Sequence, residues 1–141
     1  MDKGHLATPP RGFGYEGLTQ EELLRWVVAA GVTVLVDVRL NPISRKQGLS
    51  KTSLAAAANA AGLRYVHLRG LGNPKWNREG FATEDLHPRR VYRELLSRDE
   101  GKRDLEVLRL LCASEAVGLI CFEAAEDHCH REVILDLLAE A

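Results

Sequence analysis

Short runs of consecutive apolar residues alternate along the chain with segments whose apolar residues recur at helical spacing. The clearest runs are residues 32–38 and 117–122. Because a strand that is buried on both faces has no polar alternation, these runs predict strands of a parallel sheet. Residues 63–68 predict a further strand, and Arg11–Gly14 predicts a very short first one.

The helical pattern begins at a capping box. Thr19 is followed three residues later by Glu22, which predicts a helix over residues 20–30 with Val27 and Val28 on its buried face. Glycines follow this helix and the next one, as is common at helix ends. The remaining predicted helices are residues 53–61, 89–99 and 102–113, split near Gly101, and an amphipathic helix that opens at Cys129.

Helices and strands that alternate with short links predict βαβ crossovers. We therefore expect an α/β protein: a small three-layer fold with a mainly parallel central sheet of about four strands, flanked by helices. A chain of 141 residues has the length of one domain. Residues 11–141 are predicted to form it, and residues 1–10, which contain Pro9 and Pro10, to be a flexible N-terminus.

Composition indicates a soluble protein with no membrane partner. Hydrophobic residues make up 45% of the chain, but no run approaches the ~20 apolar residues of a membrane span. The N-terminus lacks the apolar core of a signal peptide, so a cytoplasmic location is expected. The three cysteines are odd in number, and we interpret them as free thiols in a reducing compartment.

Charge is distributed unevenly along the chain. The net charge is −1, but residues 37–80 carry eight Lys or Arg against two acids, and residues 110–141 carry one Arg against seven acids. The basic segment suits an anionic partner, either a small ligand or a nucleic acid. A solvated face with ion pairs across the fold remains the alternative. The pattern does not indicate an oligomeric state.

The segment after the strand at 117–122 carries the strongest chemical signal. A polar loop that starts at Glu123 leads to Cys129, His130 and Arg131. Open α/β sheets bind ligands at the carboxyl ends of their strands, where this loop is expected. In the first turn of a helix, the helix dipole and Arg131 favour a thiolate at Cys129. His130 or Glu123 would then carry protons, while a cysteine that only packs remains the alternative.

Asp37 and Arg39 close the central strand on the same face. Arg39, Arg45 and Arg131 are expected to clamp a phosphate or carboxylate, because a guanidinium offers a bidentate fork. Ser44 adds a hydroxyl donor to this clamp. A buried ion pair between Asp37 and Arg39 is the alternative interpretation.

Zinc binding is a further alternative at the same loop. Cys121, His128, Cys129 and His130 are zinc-ligand types, and His67, His87 or Glu123 are available as extra ligands. Three consecutive residues of a regular helical turn cannot all face one ion, however. We therefore assign neither a metal nor a cofactor to the site.

Four segments resemble a known family. FGYEGLTQEELL at 13–24, LVDVRLNPISRKQGLSK at 35–51, RYVHLRGLGNP at 64–74 and LICFEAAEDHCHREVI at 119–134 are similar, in order and spacing, to the family known as domain of unknown function 488. The resemblance implies an α/β fold of this size and no established activity. It also implies a shared polar set: Asp37, Arg39, Pro42, Ser44, Arg45, Cys121, Glu123, Cys129, His130 and Arg131.

These observations predict a small cytoplasmic α/β enzyme, or an enzyme-like domain, that binds a phosphate-bearing, nucleotide-like ligand at a pocket of Cys, His and Arg residues. The predicted catalytic residues are Cys129, His130 and Glu123, and the predicted ligand-binding residues are Asp37, Arg39, Ser44, Arg45 and Arg131. The alternatives are a nucleic-acid-binding module without catalysis and a zinc site at Cys121 and Cys129.

Overall fold

The computed structural model describes residues 9–78, 81, 86–123 and 129–140. Its four strands are β1 (Arg11–Gly14), β2 (Val34–Asp37), β3 (Arg64–His67) and β4 (Val117–Cys121). They form one sheet in the order β1-β4-β2-β3, and every neighbouring pair is parallel. The predicted α/β fold with about four parallel strands is therefore confirmed. Residues 1–8 of the predicted flexible N-terminus lie outside the described residues.

Five α-helices connect and flank these strands in the part of the chain that is described. They are α1 (Gln20–Ala29), α2 (Lys51–Ala60), α3 (His87–Leu96), α4 (Asp99–Ser114) and α5 (Arg131–Ala139). Two single 3-10 turns, Arg69–Leu71 and Lys75–Asn77, lie between β3 and α3. No helix within the described ranges has both the length and the apolar character needed to cross a bilayer.

The helices pack on both faces of the sheet. Alternate residues of β2 separate the two sides: Leu35 contacts the core under α1 and α2, whereas Val36 contacts the core under α3, α4 and α5. The predicted three layers are confirmed. Val28 is the exception on α1, because its side chain is 46% exposed and does not belong to the buried face.

The predicted helix break near Gly101 is wrong. The chain instead turns at Ser97 and Arg98, and Asp99 takes a φ of 53° at the start of α4. Gly101 lies inside α4, where a Cβ would meet the Leu95 carbonyl oxygen at 2.5 Å. This glycine therefore permits the close approach of α3 and α4 and does not end a helix.

The first strand is stabilised by what packs on it. Phe13 is fully buried, and a Cβ on Gly118 would stand 2.8 Å from its ring. Gly118 of β4 pairs with Arg11, so the missing side chain on β4 leaves room for the aromatic ring of β1. The strand order then places the carboxyl ends of β1, β4 and β2 side by side.

Candidate functional site

A cleft of about 420 Å³ opens at the carboxyl ends of β1, β4 and β2. This is the position at which open α/β sheets bind ligands. The residues that line it come from the segments that follow these three strands and from the loop around the second 3-10 turn: Tyr15, Glu16, Arg39, Leu40, Asn41, Ile43, Asn73, Arg78, Phe81, Cys121, Phe122, Glu123 and His130.

Asp37 and Arg39 form a buried ion pair beneath the cleft. Asp37 Oδ1 accepts from the Arg39 backbone N–H at 3.0 Å and from Nε at 2.8 Å, and Oδ2 accepts from Nη2 at 2.7 Å. Arg39 Nη1 donates to the Leu49 carbonyl at 2.6 Å. Burial opposes the charge, but the hydrogen bonds and charge of Asp37 hold the pKa of Arg39 above its ordinary value. The structure therefore contains the buried ion pair between Asp37 and Arg39 that was the alternative to an anion clamp.

Two tyrosines complete this pair. The Tyr65 hydroxyl donates to Asp37 Oδ2 at 2.5 Å, and Arg39 Nη1 lies 3.3 Å from the Tyr15 hydroxyl, which accepts its hydrogen bond. Burial and the neighbouring Asp37 charge raise the pKa of Tyr65. His67 lies beside them with Nε2 2.7 Å from the Arg39 carbonyl oxygen, so it is a hydrogen-bonded structural residue.

The imidazole of His130 has a defined tautomer. Its Nε2 lies 2.7 Å from the carbonyl oxygen of Val38. Because a carbonyl only accepts, Nε2 carries the hydrogen and the lone pair is on Nδ1. Nδ1 lies 3.6 Å from Cys129 Sγ. Burial, together with the charges of Arg78 and Arg131, lowers the pKa of His130 to about 4, so the ring is neutral at neutral pH.

Cys121 and Cys129 are joined by a disulfide bond, and their Cα atoms are 7.6 Å apart. The prediction of three free thiols is therefore wrong for this pair, and Cys112 is the free cysteine. The reason is the start of α5, which begins at Arg131 and not at Cys129. Cys129 precedes the helix, where its sulfur reaches the end of β4.

The buried side chain of Arg131 contacts the sulfur of Cys129. Its side chain is 1% exposed, its Nε donates to Cys129 Sγ at 3.2 Å, and its backbone N–H donates to the same sulfur at 3.5 Å. Nη2 donates to the Glu123 carbonyl at 2.5 Å. A guanidinium in this position favours a thiolate at Cys129 whenever the disulfide is reduced. It does not line the cleft.

Glu123 faces the same sulfur pair from the cleft side. Its Oε1 lies 3.9 Å from Cys121 Sγ, and burial raises the pKa of its carboxyl group. The donor atoms of Cys121, Glu123, Cys129 and His130 all lie within 4.8 Å of one another. Consecutive residues of a helical turn were expected not to face one ion together. Cys129 and His130 precede α5, so this restriction does not apply to them. His128 lies outside the described residues, and His87 is exposed.

Three of the eight predicted site residues, Arg39, Glu123 and His130, line the cleft, and the other five do not. Asp37, Cys129 and Arg131 lie next to the lining, where they contact Arg39, Cys121 and Glu123 respectively. Ser44 contacts its own loop, where its backbone N–H donates to Ser50 Oγ and its Oγ accepts from the Lys46 N–H. Arg45 is exposed and is not part of the cleft lining.

Nine residues that line the cleft were not predicted as site residues, and Cys121 was predicted only as a zinc ligand and as a member of the shared polar set. Tyr15 and Glu16 directly follow β1, so the rule that placed Glu123 at a strand end was also sufficient to place them. Arg78 follows the second 3-10 turn, and no periodicity in the sequence indicates that it returns to the cleft.

A family profile described as "Domain of unknown function DUF488" matches residues 19–138. The match covers most of the chain and includes both segments that carry the cysteine pair and the Asp37–Arg39 pair. Comparisons with curated proteins and with solved structures find no match.

Proposed function

Since this chain belongs to the DUF488 family, we propose that it is a small thiol-dependent enzyme whose cleft binds an anionic ligand of nucleotide size. The observation that carries the proposal is the shared cleft at the strand ends. It brings the sulfur of Cys121, the carboxyl of Glu123 and the imidazole of His130 together with Arg39 and Arg78.

The size and walls of the cleft suit such a ligand. A volume of about 420 Å³ lies within the roughly 300–1,000 Å³ of small-molecule sites. Tyr15, Phe81 and Phe122 supply aromatic walls, and Tyr15 and Phe122 meet edge to face with ring centroids 5.5 Å apart. Aromatic faces pack against planar rings such as nucleobases.

Arg78 replaces the expected arginine clamp in this proposal. Arg45 and Arg131 do not line the cleft, and the charge of Arg39 is balanced by Asp37. Arg78 is exposed at the cleft, with its Nε donating to the Asn73 carbonyl at 3.0 Å. Because Glu16 and Glu123 repel an anion and Arg78 attracts one, we expect the phosphate to bind the guanidinium of Arg78.

The sulfur pair supplies the proposed chemistry after reduction. Cys121 is the sulfur that lines the cleft, and Cys129 lies behind it as the partner thiol. His130 Nδ1 is unprotonated and 3.6 Å from Cys129 Sγ, so it accepts a hydrogen bond from that thiol. Glu123 takes the corresponding role at Cys121, 3.9 Å away.

Calorimetry with matched arginine variants tests the binding step. A nucleoside 5′-monophosphate is expected to bind more tightly than its parent nucleoside. Arg78→Ala is expected to lower the affinity for the monophosphate by roughly tenfold or more, which corresponds to the loss of one charged hydrogen bond. Arg64→Ala is the control, because Arg64 is an exposed arginine at the amino end of β3. Equal losses in both variants, or no binding by the wild type, contradict the proposal.

Nucleic-acid binding is a second candidate, favoured by one observation. Trp76 is 73% exposed, in the turn that joins Lys75 to the cleft residue Arg78. An exposed ring between cations is a stacking platform for single-stranded nucleic acid. Affinity for a single-stranded oligonucleotide should then fall steeply with added salt and fall again in Trp76→Ala. No binding at low salt rules this candidate out.

A further inference from the structure

We propose that the reduced protein holds a zinc-type divalent ion between Cys121, Cys129 and His130, with Glu123 as the fourth ligand on the cleft side. The inference goes beyond the proposed ligand binding, because it concerns the reduced pair with nothing else in the cleft. Two thiolates, an imidazole and a carboxylate are donor types that zinc takes in proteins. Their donor atoms all lie within 4.8 Å of one another.

Two of the donor-atom distances are already near the spacing that a metal ion requires, and the two sulfurs, bonded to each other in the disulfide, would separate on reduction. Cys129 Sγ is 3.6 Å from His130 Nδ1, and Cys121 Sγ is 3.9 Å from Glu123 Oε1. Tetrahedral zinc with its usual bond lengths places its ligand atoms roughly 3.3–3.8 Å apart. The two cysteine Cα atoms are 7.6 Å apart, wider than the approximately 4.4–6.8 Å usual for a disulfide. This backbone spacing leaves room for an ion between the reduced sulfurs.

The orientation of His130 is that of a metal ligand. Its Nε2–H donates to the Val38 carbonyl at 2.7 Å, so the lone pair of Nδ1 faces the cluster. Zinc-bound histidines commonly donate their other ring N–H to a backbone carbonyl or carboxylate, which fixes both tautomer and ring angle. The ligand geometry is therefore preorganised on the histidine side.

The charges of the proposed ligands and of Arg131 together balance a divalent cation. Two thiolates and one carboxylate carry three negative charges against the two positive charges of zinc. The Arg131 guanidinium, with Nε 3.2 Å from Cys129 Sγ, balances the remaining charge. Cys121, Cys129 and His130 are at most 8% exposed, whereas Glu123 is less buried and lines the cleft. Three fixed ligands and one exchangeable position are typical of catalytic zinc.

The ion and the disulfide exclude each other. An external dithiol reduces the disulfide to two thiols and itself becomes a cyclic disulfide. Zinc then binds both sulfurs as thiolates and displaces two protons into solvent. Hydrogen peroxide reverses the process: two thiolates, one peroxide and two protons give one disulfide and two waters, and the ion leaves. The metal therefore occupies the reduced pair, and oxidation of the thiolates releases it.

Cobalt titration of the reduced full-length chain under anaerobic conditions tests the site. We expect about one ion per chain, with the sulfur-to-cobalt charge transfer and visible bands of tetrahedral coordination. Cys121→Ser and Cys129→Ser each lose charge-transfer intensity, and His130→Gln weakens cobalt binding by roughly tenfold or more. Cys112→Ala is the matched control, since it removes a buried thiol outside the cluster and leaves the spectrum unchanged.

A second measurement needs no variant. Zinc-loaded wild-type protein is treated with hydrogen peroxide, and zinc release to a chromophoric chelator is compared with the mass loss of two hydrogens. One zinc released per disulfide formed supports the site. Disulfide formation without release, or a cobalt spectrum without charge transfer, overturns it. Neither assay contains a nucleotide, so this failure is distinguishable from failure of the proposed cleft ligand.

Discussion

His130 donates its Nε2 hydrogen to the carbonyl oxygen of Val38, 92 residues earlier in the chain, across 2.7 Å. This bond ties the segment before α5 to the end of β2. It also leaves the Nδ1 lone pair facing Cys129. A single backbone acceptor therefore sets the tautomer of the imidazole at the centre of the candidate site.

The buried imidazole makes stability depend on pH. Its pKa is lowered to about 4 in the folded protein by burial and by Arg78 and Arg131, against the opposing effects of the Val38 carbonyl and Asp37. The unfolded chain, with an ordinary histidine pKa near 6.5, binds the proton more readily. Stability from this group is therefore complete above about pH 6.5 and is lost as pH falls toward 4, by on the order of 3 kcal/mol in total.

Urea unfolding of the disulfide form in the presence of a chelator measures this loss. His130→Gln is the comparison, because its amide retains a donor for Val38 and does not titrate. The wild type is expected to lose more free energy of unfolding than the variant between pH 6.5 and 4. Parallel pH profiles would remove histidine protonation as the cause.

Asp37 is expected to be the most sensitive charged residue of the fold. It accepts three hydrogen bonds from Arg39, and its side chain is completely buried. Asp37→Asn leaves a buried guanidinium without its counter-charge, which costs about 3–5 kcal/mol of unfolding free energy. Glu21→Gln breaks an ion pair to Arg25 that is largely exposed and should change little. Similar losses in both variants by chemical denaturation would contradict the assignment.

Gly72 connects stability to the shape of the cleft. A Cβ at this position would stand 2.5 Å from the backbone nitrogen of Leu40, a cleft residue. Gly72→Ala should therefore displace the segment after β2 and weaken both folding and ligand binding. Gly62→Ala is the control: its φ of +86° costs about 1 kcal/mol in alanine, but nothing lies within 4 Å. If ligand affinity falls equally in both, Gly72 has no special role in the cleft.

Cys112 is expected to be unreactive in the folded protein. Burial raises the pKa of its thiol to about 11. Its side chain belongs to α4 and is fully buried in the hydrophobic core. Iodoacetamide at pH 8 should label it only after unfolding in denaturant, as read by peptide mass spectrometry. Rapid labelling of the native, unreduced protein at Cys112 would contradict this burial.

The sequence predicted the elements of the sheet better than the details of its edge. The apolar runs identified β2 and β4 because burial on both faces leaves a signal in composition alone. Arg11–Gly14 gave a weak signal, since its stability comes from Phe13 packing over Gly118, a contact between distant segments. The start of α5 was misplaced by two residues because Cys129 and His130 continue the helical pattern without being helical.

In the candidate site, residues at strand ends could likewise be predicted better than residues in loops. Strand ends could be located from the sequence, so Asp37, Arg39 and Glu123 were predicted at one edge of the sheet, which is where their strands β2 and β4 end. Loop residues could not, because no periodicity fixes their direction. Arg45 was expected in the cleft and is not part of its lining, whereas Arg78, predicted only as one member of the basic segment 37–80, lines it. The pairing of Cys121 with Cys129 depends on where α5 begins, which the spacing of eight residues does not determine.

The proposed ligand site lies at the carboxyl edge of the sheet, and amide chemical shifts measure ligand binding there most directly. A nucleoside 5′-monophosphate titrated into labelled full-length protein is expected to cause saturable shifts at Glu16, Leu40, Asn41 and Glu123. Thr33, Gly62 and Ala116, at the amino edge, should remain unchanged. Shifts confined to the amino edge, or no saturable shift at millimolar ligand, would contradict the proposed site.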